Sequence, residues 1–537
     1  MFIPLTPLRC LHRAVDLFGS KTGVVSGDRQ FTYGQFGERA ERLADGLTRL
    51  GIQPGDRVAY LSFNNHQLLE GYYGVVQARA IVMPLNVRLA EGEIAAILAH
   101  SGARMVIFET DFAPVAERLC KNLPGVQRWV SIGQAIGEKA GPADLDYEEI
   151  VDRGRAQRAD VFSYDEMSIA ELFYTSGSTG TPKGVMLAHR TLYLHALAVA
   201  LQCVRPEPAV DLHTIPLFHA NGWGRPQAST LLGSKQVMVR RFEPAAVFQL
   251  IQEHKATDMS LVPTMANALL NALGRENYDL SSLRRTMIGG AASSPELVER
   301  WEKAFPGCEC VAGYGQTETS PVVTTAMRKG MGYGSDQERW RRQAMTGWAV
   351  PGAAVRVVDS EMRDVPRDGS TIGEIVIQGD MVMDGYFRDP AGTEAAMSGT
   401  SLGTWLHTGD MAVWDQESYV NIVDRKKEII ISGGENISSI EVEAAVSAHP
   451  AVAECAVVAA PDEAWGEVPA AIVVLKAGAS LDEAGLKEFL RERLSRYKLP
   501  RIFEFRDEPL PKTGTGKIRK MILREKFWSG KEKRVQG

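Results

Sequence analysis

The chain has 537 residues, a formal net charge of −6 and a hydrophobic fraction of 45%. A chain of this length is usually too long to fold around a single hydrophobic core, so we expect two or more domains. The composition is that of a globular protein and excludes a disordered or collagen-like chain. The weakly acidic balance argues against nucleic-acid binding, which usually requires a basic face.

The chain carries no sign of secretion or of a membrane span. Its first residues, MFIPLTPLRC, place prolines where a signal peptide needs a continuous apolar run. The most apolar helical stretch, LYLHALAVALQCV, is shorter than a membrane span and contains His195. The six cysteines are scattered, and no second pair accompanies Cys308 and Cys310 at zinc-ligand spacing. We therefore expect a cytoplasmic enzyme with reduced cysteines and no integral membrane segment.

Strand-like and helical patterns alternate from the start of the chain. The apolar runs RVAYLS, AIVMPLN and RMVIFE predict strands, and YGQFGERAERLADGLTRLG predicts an amphipathic helix. The alternation returns with the strand candidates DMSLVP, RRTMIGG and CECVAGYG. Such an alternation of strands and helices predicts an α/β protein with largely parallel sheets covered by helices. Ligands bind such sheets at the carboxyl ends of strands, where the clusters IGGAA and VAGYGQTE fall.

The pattern changes near Asp424. A charged junction, VDRKKE, leads into a compact unit with its own strands and helices, which predicts a small α+β domain. We predict an amino-terminal domain over residues 1–423, a hinge at 424–427 and a mobile carboxyl-terminal domain over 428–537.

The segment YTSGSTGTPKG is dense in glycine and hydroxyl residues and holds one lysine, as an anion-binding loop would. It is not a Walker A loop, because Lys183 follows Pro182 rather than glycine and because GVMLAH predicts a strand instead of a helix. The dinucleotide fingerprint also fails, since Gly177 and Gly180 have no third glycine at the required spacing. The pattern favours a phosphate loop of another kind.

Five motifs then occur in one order: YTSGSTGTPKG, YGQTE (Tyr314 to Glu318), TGD (Thr408 to Asp410), DRKKE (Asp424 to Glu428) and PKTGTGK (Pro511 to Lys517). Together they resemble the adenylate-forming superfamily, which includes acyl-CoA synthetases, firefly-type luciferases and peptide-synthetase adenylation domains. The likeness covers nearly the whole chain. It implies a large domain and a small domain, and a reaction in which ATP activates a carboxylic acid as an acyl-adenylate before transfer to the thiol of CoA.

The resemblance also implies the nucleotide site. Tyr314 would stack on adenine, Thr317 would bond the α-phosphate, and Glu318 would hold Mg²⁺. Asp410 and Arg425 would bind the ribose, with a core ion pair as the plainer alternative. The remaining ATP-binding residues would be those of the phosphate loop and of the two small-residue clusters: Thr175, Ser176, Gly177, Ser178, Thr179, Gly180, Lys183, Gly289, Gly290, Ala291, Gly313 and Gly315.

The second half of the reaction is assigned by the same resemblance. Lys517 would stabilise charge during adenylation and would leave when the small domain rotates about a hinge at Lys427. Rotation would bring Ser432, Gly433 and Gly434 to a tunnel for the pantetheine arm of CoA. We expect ATP, Mg²⁺ and CoA as cofactors or co-substrates, small-molecule partners only, and leave a homodimer open.

The acyl pocket is placed at PLFHANGW, with His219 and Trp223 as lining residues, and core packing is the alternative for both. This context resembles the fatty-acid-activating branch, so a medium- to long-chain acid is expected. Three alternatives stay open: a ligase for short-chain, aryl or other acids, a luciferase-like or CoA-independent relative, and a nucleotide-binding regulator without turnover. The presence of Glu318 and Lys517 argues against the regulator.

Overall fold

The computed structural model describes residues 2–133, 139–175, 182–203, 208–330, 334–401, 403–426, 428–432, 435–462, 464–512 and 518–529. The chain forms two compact units, Met1–Val355 with Ile377–Leu406 and Arg356–Val376 with His407–Gly537. The domain boundary after residue 423 and the hinge at 424–427 stay predictions.

The helices of the described residues alternate with strands through most of the chain. In chain order they are α1 (Leu8–Phe18), α2 (Tyr33–Arg49), α3 (His66–Gln77), α4 (Glu91–Ser101), α5 (Ala113–Asn122), α6 (Tyr147–Arg153), α7 (His189–Gln202), α8 (Arg225–Leu232), α9 (Pro244–His254), α10 (Pro263–Asn271), α11 (Pro295–Ala304), α12 (Asp336–Ala344), α13 (Pro390–Ala396), α14 (Ser439–Ser447), α15 (Glu483–Arg491) and α16 (Lys520–Trp528). Among the described residues, no helix has both the length and the apolar character that crossing a bilayer requires.

The strands are short except near the carboxyl terminus. In chain order they are β1 (Thr22–Ser26), β2 (Arg29–Thr32), β3 (Arg57–Leu61), β4 (Ile81–Pro84), β5 (Met105–Glu109), β6 (Arg128–Ile132), β7 (Leu145–Asp146), β8 (Ile169–Thr175), β9 (Lys183–Ala188), β10 (Val210–His213), β11 (Lys235–Met238), β12 (Asp258–Leu261), β13 (Arg285–Gly289), β14 (Glu309–Gly315), β15 (Val322–Thr325), β16 (Trp348–Ala349), β17 (Ala353–Val358), β18 (Gly373–Gly379), β19 (Gly385–Tyr386), β20 (Met397–Thr400), β21 (Gly403–Trp414), β22 (Val420–Arg425), β23 (Ile430–Ser432), β24 (Glu435–Ile437), β25 (Val452–Asp462), β26 (Gly466–Leu475) and β27 (Ile502–Arg506).

Two sheets organise the larger unit. One has nine strands in the order β16-β15-β14-β13-β12-β10-β11-β1-β2, and its strands from β14 to β1 are parallel. The other has eight strands in the order β19-β9-β8-β4-β3-β5-β6-β7, and is parallel from β8 to β7. The predicted α/β class with largely parallel sheets is confirmed.

Strand β3 shows why these sheets need helices on both faces. Val58 and Tyr60 join a core that includes residues of α2 and α3. Ala59 and Leu61 point to the opposite face and join a core that includes residues of α4 and α5. Successive side chains of a strand point to opposite faces, so a parallel strand covered on both sides is apolar throughout. The run RVAYLS has this composition.

The smaller unit contains a separate sheet of five strands. Its order is β24-β23-β26-β25, and β27 pairs with β26. Helices α14 and α15 contribute Val442, Val446, Leu486 and Leu490 to a core with strand residues such as Ile430 and Val457. This is the α+β character that the sequence predicts. A further five-stranded sheet has the order β17-β18-β21-β20, with β22 paired to β21.

Candidate active site

The carboxyl ends of β13 and β14 bring the two small-residue clusters together. The strands are parallel and in register, with Gly289 opposite Gly313. A β-carbon at Gly289 would lie 2.7 Å from the carbonyl oxygen of Gly313, closer than such atoms approach. Gly290, with φ of +75°, and Ala291 follow on the exposed edge. The two clusters therefore form one edge of closely packed backbone, buried at Gly289 and exposed at Gly290 and Ala291, at the strand ends where ligands bind such sheets.

Trp223 lies against this edge. A β-carbon at Gly289 would be 3.1 Å from Cη2 of Trp223, and one at Gly290 would be 3.5 Å from Cζ2. The indole is buried, whereas His219, four residues earlier, is half-buried. The structure thus places the predicted acyl-pocket tryptophan in contact with predicted nucleotide-site glycines.

Tyr314, Thr317 and Glu318 follow directly from the same edge. Strand β14 ends at Gly315, and Thr317–Thr319 then form a single 3₁₀ turn. The turn is fixed by the hydroxyl of Thr319, which accepts a hydrogen bond from the backbone of Gln316 at 3.0 Å. Tyr314, Thr317 and Glu318 are all half-buried, so they are held in place and still accessible to a ligand.

Tyr386, which the sequence interpretation missed, joins Glu318 to Lys183. Its hydroxyl donates a hydrogen bond to Oε1 of Glu318 at 2.9 Å, and its ring centroid lies 4.4 Å from Nζ of Lys183. Burial and the Glu318 carboxylate raise the pKa of Tyr386, so the phenol stays protonated and donates at neutral pH. Asp389 also faces Lys183, with Oδ2 at 3.8 Å from Nζ.

The pairing of β19 with β9 explains this contact. Tyr386 stands opposite Val185 in an antiparallel pair, two residues along β9 from Lys183. The only sequence signal is an aromatic residue after glycine in MDGYFRD, which gives no hint of its partner strand. Cation–aromatic contacts of this kind stabilise a lysine without neutralising its charge.

Of the predicted phosphate loop, only the two ends lie among the described residues. Thr175 closes β8 and stands opposite Lys183, the first residue of β9, in an antiparallel pair. The segment after the loop is a strand, so the exclusion of a Walker A framework is confirmed. Ser176, Gly177, Ser178, Thr179 and Gly180 lie outside the described residues.

A bound Mg²⁺ fits this arrangement through Glu318. The described residues contain no group of three or more His, Cys, Asp or Glu side chains able to hold a metal together. Mg²⁺ in nucleotide sites is usually held by one or two carboxylates, with phosphates and water completing its shell. Glu318, which accepts a hydrogen bond from the Tyr386 hydroxyl, would supply one such carboxylate.

The smaller unit contains the predicted ribose-binding pair. Asp410 on β21 stands opposite Arg425 on β22, and Nε of Arg425 lies 2.7 Å from Oδ1 of Asp410. The Asp410 side chain is only 4% exposed and that of Arg425 is 54% exposed. Glu374 accepts a hydrogen bond at 3.1 Å from the backbone of Gly409, the residue that precedes Asp410 in the same strand. The ion pair is therefore observed, and its use in ribose binding stays a prediction.

The predicted residues of the second half-reaction are mostly not described. Ser432 is buried at the end of β23, opposite Glu435 in an antiparallel pair. Lys427, Gly433, Gly434 and Lys517 lie outside the described residues.

The sequence matches the AMP-binding enzyme model over residues 11–387 and the model of the AMP-binding enzyme C-terminal domain over residues 441–517. The chain belongs to the AMP-binding enzyme family. It is 38% identical over 528 residues to a long-chain-fatty-acid–CoA ligase of Thermus thermophilus, covering 96% of this chain and 94% of that protein. It is 36% identical over 536 residues to 2-methylpropanoate–CoA ligase of Humulus lupulus, covering 97% and 95%.

Solved structures agree with this assignment. The crystal structure of an anthranilate CoA ligase with anthranoyl-AMP superposes with a TM-score of 0.86 at 27% identity, covering 98% of each chain. The resemblance to adenylate-forming enzymes and the acyl-CoA ligase fold are thereby confirmed. This AMP-binding enzyme is of the AMP-forming acyl-CoA ligase type, and ATP and CoA fit it as co-substrates.

We expect Tyr386→Phe to weaken MgATP binding by about 10- to 100-fold, the usual effect of removing a hydrogen bond that orients a metal ligand. Binding of ATP in EDTA should change little, because Lys183 keeps its aromatic neighbour. Isothermal titration calorimetry measures both affinities. Tyr147→Phe is the matched control, since it removes a phenol–carboxylate hydrogen bond of 2.8 Å to Glu70 elsewhere in the same unit. Equal MgATP affinities in wild type and Tyr386→Phe would contradict this role.

Proposed function

We propose that this enzyme activates medium- to long-chain fatty acids as acyl-AMP and then transfers the acyl group to CoA. The observation that carries the proposal is the contact of Trp223 with Gly289 and Gly290, which sets an apolar ring beside the nucleotide edge. Leu217 and Phe218, next to His219, are buried as well, so the surrounding segment is apolar. The similarity to the long-chain-fatty-acid–CoA ligase of Thermus thermophilus supports the same substrate class.

Substrate positions follow from this proposal. Tyr314 would stack on adenine, with Gly289, Gly290, Ala291, Gly313 and Gly315 leaving the backbone open to it. Thr317 would bond the α-phosphate. The loop from Thr175 to Lys183 would bind the β- and γ-phosphates, and Lys183 would offset their charge. Mg²⁺, when bound at Glu318, would offset further phosphate charge and polarise the phosphoryl oxygens.

In the first step the acid's carboxylate attacks the α-phosphorus, and the bond to the bridging oxygen of pyrophosphate breaks. The carboxylate is a weak nucleophile, so the enzyme's contribution is alignment and charge stabilisation. Lys517 would supply positive charge at the attacking and leaving oxygens. In the second step the CoA thiolate attacks the acyl carbonyl, and AMP departs with the electron pair.

The small domain, proposed to start at residue 428, would serve both steps. Its rotation about Lys427 would withdraw Lys517 and present Ser432, Gly433 and Gly434 to the pantetheine arm. Asp410 and Arg425 would hold the ribose throughout. We propose a cytoplasmic location for the reaction.

The substrate proposal predicts how kcat/KM should rank across a panel of acids. Octanoate and palmitate should give higher kcat/KM values than 2-methylpropanoate or anthranilate, because a linear apolar chain buries more area against an apolar pocket. Acid-dependent pyrophosphate release, AMP formation and CoA thioester formation are measured separately. Turnover confined to branched or aryl acids would overturn the fatty-acid assignment and leave the reaction type intact.

We expect Lys517→Ala to separate the two steps. Acyl-adenylate formation should fall by about 10²- to 10³-fold, the usual loss on removing a preorganised charge from a transition state. Supplied with pre-made acyl-AMP and CoA, the same variant should form thioester at close to the wild-type rate. Lys512→Ala, on the same segment, is the matched control. Equal slowing of both steps in a folded Lys517→Ala protein would contradict domain alternation.

A further inference from the structure

The segment Ala220–Gly224, which carries Trp223, is left-handed throughout. Its φ angles are 45° at Ala220, 54° at Asn221, 51° at Gly222, 62° at Trp223 and 70° at Gly224. Side chains other than glycine are disfavoured in this region, and they enter it mostly as single residues. Three such residues in one turn persist only where the surroundings impose the conformation.

Three buried polar side chains contact this turn or lie beside it. Nε2 of Gln227 donates to Oδ1 of Asn221 at 3.0 Å and to Oε1 of Glu171 at 2.9 Å. The three residues are each 1% exposed or less. Gln227 therefore joins the left-handed turn to β8, the strand that leads into the phosphate loop.

Burial disfavours a negative charge on Glu171. It is fully buried, and burial raises its pKa well above the usual value for a carboxyl group. A neutral carboxyl group accepts the amide hydrogen bond without the desolvation cost of a buried anion. Glu171 thus is a buried hydrogen-bond acceptor for Gln227, and none of the proposed catalytic steps uses it.

The carboxyl end of the turn is fixed independently. Arg225, the next residue, pairs with Asp211 inside the core, at 2.7 Å from Nη2 to Oδ1. Gly224 lies so close to the imidazole of His195 that a β-carbon there would overlap it. Trp223 lies between this end of the turn and Asn221, which Gln227 bonds.

We propose that Gln227 is a specificity-determining positioning residue: through Asn221 and Glu171 it holds the left-handed turn so that Trp223 stays against Gly289 and Gly290. This inference rests on the proposed acyl pocket. A fixed indole would limit the width of the proposed acyl pocket beside Gly289 and Gly290, so that a linear acid is admitted and one that is branched or aromatic next to its carboxylate is rejected. A released indole would widen that pocket and leave the nucleotide residues unchanged.

The test compares kcat/KM for adenylation of octanoate with that for 2-methylpropanoate in Gln227→Met, a variant of similar volume without the hydrogen bonds. The ratio of octanoate to 2-methylpropanoate should fall by about tenfold, close to 1.4 kcal/mol, while KM for ATP stays at the wild-type value. Glu171→Gln should keep the wild-type ratio, because it preserves a neutral acceptor. Asn221→Gly, which tolerates the left-handed backbone but loses the side-chain bond, should lower the ratio if Gln227→Met fails to fold.

Gln236→Met is the matched control, since Gln236 is equally buried and bonds Thr230 at 2.9 Å and His213 at 3.0 Å, away from the turn. Its ratio should equal that of wild type. An unchanged ratio in both Gln227→Met and Asn221→Gly, or an equal change in Gln236→Met, would overturn the proposal. A wild-type preference for branched or aryl acids would instead overturn the proposed fatty-acid function, and the variants would still report whether Gln227 sets selectivity.

Discussion

The close approach of β13 and β14 at Gly289 and Gly313 is the constraint on which the active-site edge depends. A side chain at Gly289 would meet a backbone carbonyl on one side and the Trp223 indole on the other. Gly315 is restricted in the same way, because a β-carbon there would overlap the carbonyl of Pro321. Glycine at these positions lets neighbouring backbones and the Trp223 ring approach closely at one edge. The absence of a side chain at Gly289 lets Trp223, proposed to line the acyl pocket, lie against the glycines proposed to bind the nucleotide.

Charge at the same edge is arranged around Tyr386. Lys183 and Glu318 carry opposite charges and contact the same phenol, one at its ring and one at its hydroxyl. The Tyr386 contacts separate Lys183 from Glu318, and the carboxylate that faces the Lys183 ammonium is that of Asp389, with Oδ2 at 3.8 Å from Nζ. In the smaller unit, Asp410 and Arg425 instead form a direct pair with an exposed guanidinium. In the larger unit Lys183 and Glu318 are thus linked through Tyr386, whereas in the smaller unit Asp410 and Arg425 pair directly.

The sequence predicts the local parts of this site better than the distant contacts. An apolar run ending in GG or GYG predicts a strand with an open carboxyl end, and β13 and β14 have this form. The β-branched and apolar GVMLAH predicts β9 correctly against the helix of a Walker A framework. The contacts of Tyr386 could not be predicted from the sequence, because they depend on the pairing of β19 with β9, which is distant in the sequence. The left-handed turn escapes because alanine and tryptophan locally disfavour it, and Gln227, Arg225 and His195 override that preference.

Gly289→Ala tests most directly whether one steric constraint serves both substrates. The added methyl group should displace the Gly313 backbone and the Trp223 ring, at a cost of about 1–3 kcal/mol for such overpacking. We predict that MgATP affinity and acid affinity, measured by calorimetric titration of a variant folded by circular dichroism, both fall by about tenfold or more. Gly125→Ala is the control, because a β-carbon there meets nothing within 4 Å. Loss of affinity for one substrate alone, or for neither, would contradict the shared edge.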